Sequence, residues 1–234
     1  MRLVLLGPPG VGKGSLATLC EERLGLAQLS PGVIFRQEME RASPLGRRVQ
    51  QYVSRGLLVP DALVVQVMSG RLTPKRVRRG FVLDGFPRTV GQAQGLDRVL
   101  AHQQAPLQAA IGLMASEALL VRRLSGRRVC RRCGANYHVR TMRPKRLGRC
   151  DRCGGALIIR KDDASQTIRK RLAVDRAAAA PLLRYYRKQR LLHLVNGAGS
   201  VATVFRRTMK LIRQQGWLRP GDAPTTSRRR HGRL

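Results

Sequence analysis

The stretch that most constrains this chain is Gly7-Pro8-Pro9-Gly10-Val11-Gly12-Lys13-Gly14-Ser15, set between the apolar run Leu3–Leu6 and a helix-compatible run from Leu16 to Leu24. Strand, glycine loop and helix in that order bring bare backbone N–H groups together at the positive end of a helix, where a phosphate chain binds. Gly7, Gly10, Gly12 and Gly14 let the backbone approach such a ligand closely. Lys13 would reach the β- and γ-phosphates, and the Ser15 hydroxyl could ligate Mg²⁺. A glycine-rich turn with nothing bound would need neither the lysine in register nor the flanking elements. The residues point to a nucleoside-triphosphate loop.

The rest of the chain reads as an α/β fold. Gln28–Ser30 suits a short strand, and Pro31–Leu58 suits two short helices broken at Ser43-Pro44, with a basic face at Arg47, Arg48 and Arg55. Asp61, after Pro60, reads as the cap of a helix whose apolar positions Leu63, Val64, Val67, Met68 and Leu72 recur at helical spacing. Phe81-Val82-Leu83 reads as a buried strand ending at Asp84, the end at which parallel sheets place their ligands. Between Arg41 and Ser116 the acidic residues are Asp61, Asp84 and Asp97. With Asp61 read as a cap and Asp97 on a helix, Asp84 is left to hold Mg²⁺ through its waters. A helix over Val90–His102, a strand over Leu107–Met114 and a helix over Ser116–Leu124 follow. A long helix over Ala164–Arg190, bent or broken near Pro181, a strand over Leu191–Val195 and a helix over Val201–Gln215 complete the alternation. Such alternation predicts a parallel sheet covered on both faces. After Trp217 the composition turns to Pro, Gly, Thr and Arg, which predicts a disordered basic tail.

Arg127–Asp163 interrupts the rhythm with Arg, Gly and Cys and no helical period, as an inserted subdomain would. Cys130-x-x-Cys133 and Cys150-x-x-Cys153, each followed by glycine, can set four thiolates around Zn²⁺ with no open position for water. Such a site folds a small subdomain that lacks a core. A redox dithiol would instead need one such pair at a helix start. His138 is close in sequence, but four thiols already close the shell. Cys20 falls within the first helix and reads as a small buried residue. Thiols paired in this way suit a reducing cytoplasm better than disulfides. The apolar run at the start is too short for a signal peptide, and no stretch reaches the roughly 18 apolar residues of a membrane span. No histidine has a nearby nucleophile, so hydrolase chemistry has no support.

Lys and Arg number 46 against 13 Asp and Glu, a formal charge of +33, and 39 of the cations are arginine. The basicity is spread along the chain and predicts non-specific polyanion binding at low salt. Aromatic residues make up only 4%, too few for base-stacking platforms, so an RNA-recognition module is not indicated.

Four motifs together carry a family resemblance: GPPGVGKGS at Gly7–Ser15, DGFPRT at Asp84–Thr89 followed by Gln92, GRRVCRRCG at Gly126–Gly134, and RKDD at Arg160–Asp163. Over about residues 2 to 216 the chain resembles the adenylate kinases of the bacterial type with a zinc-bearing lid, P-loop nucleoside monophosphate kinases. That resemblance implies a three-layer α/β/α core with a parallel five-stranded sheet, formed by residues 1–29, 60–126 and 164–216. It implies a monophosphate-binding insertion at 30–59 and a zinc-binding lid at 127–163, with the tail at 217–234. By the same resemblance Arg36 and Arg88 hold the AMP phosphate, Gln92 reads the adenine edge, and Leu57, Val59 and Gly85 line the AMP pocket. Arg123, Arg127, Arg160 and Arg171 clamp the donor phosphates and the transferring group, with Lys13 and Arg88 among the catalytic residues. ATP, AMP and ADP are then the partners, and the protein is a cytoplasmic monomer. The family usually has Ser-Thr-Gly-Asp where this chain has Ser30-Pro31-Gly32-Val33. Pro31 lacks a hydroxyl and an N–H, and Val33 lacks a carboxylate. The expected consequence is a raised KM for the monophosphate or a weaker Mg²⁺ dependence.

Overall fold

Leu3 to Leu6 are apolar without alternation, so the strand they form must be covered on both faces. In the computed structural model, which describes residues 1–55, 57–160, 163 and 165–218, it is covered so. Strand β1 (Arg2–Leu6) is the middle of a five-stranded sheet that also contains β2 (Ala27–Leu29), β3 (Phe81–Asp84), β4 (Ala109–Met114) and β8 (Leu192–Asn196). The order is β2-β3-β1-β4-β8, and every pairing is parallel. Leu3 and Leu5 join one buried cluster with Val82 and Ile111, whereas Val4 and Leu6 join the other with Phe81 and Leu83. The first cluster is capped by α1 (Lys13–Leu24) and α9 (Val201–Gln214), the second by α4 (Asp61–Arg71) and α6 (Val90–His102). Cys20 is fully buried in α1, and burial pushes its thiol up to about 12. That is the chemistry of a packing residue.

Two adjacent strands send the chain in opposite directions. From β1 it goes to β2 on one side, and from β3 it crosses to β4 on the other. The crevice at such a switch point is where α/β sheets bind ligands. Leu5 lies opposite Asp84 in the β1–β3 register, so the glycine loop and the segment Asp84–Arg88 emerge side by side.

The two helices expected between residues 31 and 58 are α2 (Pro31–Glu40) and α3 (Pro44–Val53). The break between them is chemical: the Ser43 hydroxyl accepts from Gly46 N at 3.0 Å, and Pro44 takes the first helical position. Pro31 sits likewise at the first position of α2, after an extended Ser30 (φ −142°). A backbone N–H there has no partner within the helix, so the missing one costs little. A short helix that periodicity does not reveal, α5 (Pro74–Arg79), buries only Val77.

After α7 (Glu117–Ser125) the inserted segment forms its own antiparallel sheet, β5 (Arg127–Cys130), β6 (Asn136–His138) and β7 (Leu157–Ile158), ordered β6-β5-β7. Its buried cluster is Cys130, Tyr137 and Cys150, far too few apolar atoms to fold it by burial alone.

Helix α8 (Ser165–Lys188) runs past Pro181 as one element. Of the bend or break expected there, a break does not occur: Pro181 and Ala177, whose carbonyl loses its partner, lie on the exposed side where water can bond it. The N-terminal half of α8 packs through Ile168 and Leu172 on one core, and the C-terminal half through Leu182 and Tyr186 on the other. Proline costs roughly 3 kcal/mol in a helix interior relative to alanine. Pro181→Ala should therefore raise stability by about 1–3 kcal/mol. A urea midpoint at or below that of the parent would contradict an unbroken α8.

Candidate active site

The loop between β1 and α1 turns through left-handed backbone at Gly10 and Gly12 (φ 81° and 109°), where a side chain would be strained. Gly12 is also the N-cap of α1, so the helix opens directly onto the loop. A β-carbon on Gly14 would stand 3.1 Å from Asp84 Oδ2, which measures how closely Asp84 approaches the start of α1 and Ser15. The Lys13 ammonium donates to the carbonyl oxygens of Gly7 and Pro8, the latter at 3.0 Å. Burial lowers its pKa from 10.5 to about 8, against the opposing pull of Asp175 and Asp84, with Arg88 and Arg171 lowering it further. Asp175, on α8, had no signal in the sequence.

Two cavities meet beside this loop. One, of about 300 Å³, runs from Lys13 along the ends of β1 and β4 to α8 and is walled mainly by aliphatic side chains. The other, of about 90 Å³, lies between α2, α3, α6 and the lid-proximal arginines. Arg36, Leu57, Val59, Gly85, Arg88, Gln92, Arg160 and Arg171, the whole acceptor set expected from sequence, line that smaller cavity together. Four of them are arginines, and among the described residues no carboxylate lines it. Among the described residues Arg88 is the one charged residue lining both cavities. Its Nε donates to Gly85 O at 3.1 Å and its backbone N–H to Gln92 Oε1 at 2.8 Å.

Asp163 gathers two of the arginines expected to clamp phosphates, a role the sequence motif did not single out. Its carboxylate, fully buried, accepts from Arg127 Nε (2.7 Å) and Nη2 (2.6 Å), a two-point contact, and from Arg171 Nη1 (2.7 Å). Two guanidiniums are thereby held at one point by a single carboxylate. Arg123 lies elsewhere. Its Nη1 donates to Val11 O and Gly197 O at 3.0 Å and its Nη2 to Gly199 O at 2.7 Å. Burial and the neighbouring Arg122 lower its pKa. Arg123 thus ties the glycine loop to the turn after β8, with its Nε–H and one Nη2–H left over. Asp61 also departs from expectation. It is the first residue of α4, and its carboxylate bonds across to Thr89 and Gln92 instead of capping its own helix.

In the lid, Cys130, Cys133, Cys150 and Cys153 bring their sulfurs within 4.8 Å of one another, with contacts of 3.4 Å and 3.6 Å across the two knuckles. Tetrahedral bonds of about 2.3 Å imply sulfurs roughly 3.8 Å apart, so the four fit one small thiophilic ion. The knuckles repeat each other: Gly134 N bonds Cys130 O, and Gly154 N bonds Cys150 O. Tyr137 hydroxyl contacts Cys150 Sγ at 3.4 Å and accepts from Asp151 N at 2.7 Å, bracing the site from outside. His138 is not in the shell, since its Nδ1 accepts from Arg140 N and Thr141 N.

The Lys13 pKa gives a signed expectation. In the free protein its amine is half neutral at about pH 8, and a bound polyphosphate favours the ammonium. ATP binding should therefore take up protons near pH 8.5, and the uptake should vanish near pH 6.5, where Lys13 is charged throughout. Without ligand, the same depression makes stability rise with pH through this group between about 8 and 10.5. Calorimetry in buffers of differing ionisation enthalpy reads the uptake. Equal uptake by Lys13→Met would assign it to another group.

A family model described as Adenylate kinase matches residues 5–191. A relative named "Adenylate kinase" from Moorella thermoacetica is 46% identical over 204 residues, covering 87% of this chain and 94% of its own. Relatives of the same name from Thermodesulfovibrio yellowstonii and Clostridium tetani are 44% and 41% identical over 205 residues, each covering 88% of this chain and 95% of its own. The chain belongs to the adenylate kinase family and is a nucleoside monophosphate kinase.

Proposed function

We propose that the protein transfers the γ-phosphoryl group of ATP reversibly to AMP, giving two ADP, with Mg²⁺ bound to the ATP. The observation that carries this reading is the position of Arg88, the one charged residue common to the Lys13 cavity and the arginine-lined cavity. Of the donor residues only Lys13 lines the larger cavity, so a donor phosphate chain on the glycine loop would reach its edge at Lys13 and face an acceptor phosphate across the Arg88 guanidinium. Phosphoryl transfer asks little covalent help of a protein; it asks for alignment, charge and the exclusion of water.

On the donor side the N–H groups around Gly10, Gly12 and Gly14 and the Lys13 ammonium hold the phosphates, with Arg123 and Arg127 beside them. Ser15 and Asp84 are the residues that would hold Mg²⁺, Asp84 through water, and the ion would supply neutralisation of the charge on the transferred group. On the acceptor side Arg36 and Arg88 hold the AMP phosphate, Leu57, Val59 and Gly85 line the pocket, and Gln92 reads the base. Arg160 and Arg171 bridge the two nucleotides. An acceptor phosphate oxygen attacks the γ-phosphorus, and the oxygen bridging to the β-phosphate leaves. The nucleophile is already anionic, so no general base is required. Closure of residues 127–163 over the ATP keeps water from competing.

The four cysteines are proposed to hold a structural Zn²⁺, and four free thiols suit a reducing compartment such as the cytoplasm. No helix among the described residues is long and apolar enough to cross a membrane. The family resemblance supports a monomer, and the +33 charge supports weak polyanion binding at low salt.

ADP formation from ATP with each nucleoside monophosphate in turn, with and without Mg²⁺, tests the reaction. Fast turnover with AMP and Mg²⁺ is expected; preference for another monophosphate would move the acceptor assignment. The metal has its own test. Purified protein should contain about one zinc per chain, and its removal by a chelator should lower Tm. A metal-free protein with the same Tm would rule out the zinc assignment.

A further inference from the structure

Gln92 lies in the first turn of α6 and is only 2% exposed, yet it lines the arginine-rich cavity. Both ends of its amide are already held by protein groups. Gln92 Oε1 accepts from Arg88 N at 2.8 Å, and Gln92 Nε2 donates to Asp61 Oδ1 at 2.8 Å. The second carboxylate oxygen, Asp61 Oδ2, accepts from the Thr89 hydroxyl at 2.6 Å. Thr89 Oγ1 in turn accepts from Gln92 N at 3.1 Å as the N-cap of α6. Asp61 is therefore fixed at both oxygens, and it fixes Gln92.

A backbone N–H only donates and a carboxylate only accepts, so this bracket decides which end of the amide is oxygen. Turning the amide over would set oxygen against carboxylate and NH₂ against N–H, losing two buried hydrogen bonds and opposing like groups. What remains for a ligand is one lone pair on Oε1 beside one N–H on Nε2, in a fixed order. A 6-aminopurine presents a donor at its amino group beside an acceptor at N1, which matches that order. A 6-oxopurine presents an acceptor beside a donor, which opposes it at both atoms. A site with its polar groups locked rejects the mismatched ligand because those groups are left unpaired.

We propose that Asp61 is the positioning residue that sets base specificity: by locking the Gln92 amide, it makes the acceptor site take 6-aminopurine and refuse 6-oxopurine monophosphates. The inference rests on the reading of Gln92 as the base reader given above. Asp61 lines neither cavity, so it acts through Gln92 and not on the nucleotide.

The experiment compares kcat/KM for AMP and IMP, which differ only at position 6 and the N1 proton, in the parent protein and in Asp61→Ala, Asp61→Ser, Asp61→Asn and Gln92→Leu. Asp61→Ala and the smaller polar Asp61→Ser leave Nε2 without its acceptor. Each should cut the AMP-over-IMP ratio by about tenfold, mainly by raising KM for AMP. Asp61→Asn keeps an acceptor oxygen toward Gln92, and its amide can donate to Thr89 Oγ1, so it should keep most of the preference. A merely structural role would lower kcat for both nucleotides together with Tm and leave the ratio alone. If Asp61→Ala and Asp61→Ser fold and keep the parent ratio while Gln92→Leu loses it, Asp61 does not set specificity and the base-reading role of Gln92 stands. If Gln92→Leu keeps the parent ratio, the base reading itself fails and this inference falls with it. If Asp61→Ala does not fold, Asp61→Ser and Asp61→Asn still carry the comparison.

Discussion

A site built to hold two polyanions end to end must be strongly positive before they arrive, and that charge repels itself. Arg36, Arg88, Arg160 and Arg171 line one small cavity, with Lys13 across from them. The chain has only 13 acidic residues, and the way it places four of them makes the arrangement tolerable. Asp163 binds Arg127 and Arg171 at once, while Asp175 and Asp84 offset part of the desolvation that would otherwise discharge Lys13. Asp61 stands one layer further out, where it orders dipoles instead of neutralising charge. None of the four lines the arginine-rich cavity, whereas Asp175 lines the larger cavity together with Lys13.

The sheet and the glycine loop were legible in the sequence because each depends on residue types with few substitutes. A four-residue apolar run stopped by a glycine loop suits a strand covered on both faces, and left-handed backbone at Gly10 and Gly12 favours glycine. The four cysteines were legible for the same reason, since paired knuckles with a following glycine fix a geometry. Arginines were not legible singly, with one residue in six being arginine. Only their register with the loop, Asp84 and the cysteines singled them out, and Arg36, Arg88, Arg160 and Arg171 line one cavity.

The misreadings share a cause. Pro60-Asp61 before an apolar helical run looks the same whether the carboxylate caps its own helix or reaches across to another, because the partner is 28 and 31 residues away. Pro181 suggests a break from composition, but whether a carbonyl left without its N–H is harmful depends on which face meets water. Helix α5 carries its start signal, Thr73-Pro74, yet is too short to display a period. Long-range partners and solvent exposure are properties of the assembled layers, and no local window contains them.

The bracket on Gln92 also bears on how such proteins diversify. Asp61 and Thr89 sit behind the cavity wall, so a change at either alters what the wall offers without altering the wall's residues. Base preference in this architecture can then drift through positions that a comparison of ligand-contacting residues would score as identical. Two relatives with the same lining could part company in the nucleotide they consume, the difference being stored in the carpentry behind the surface.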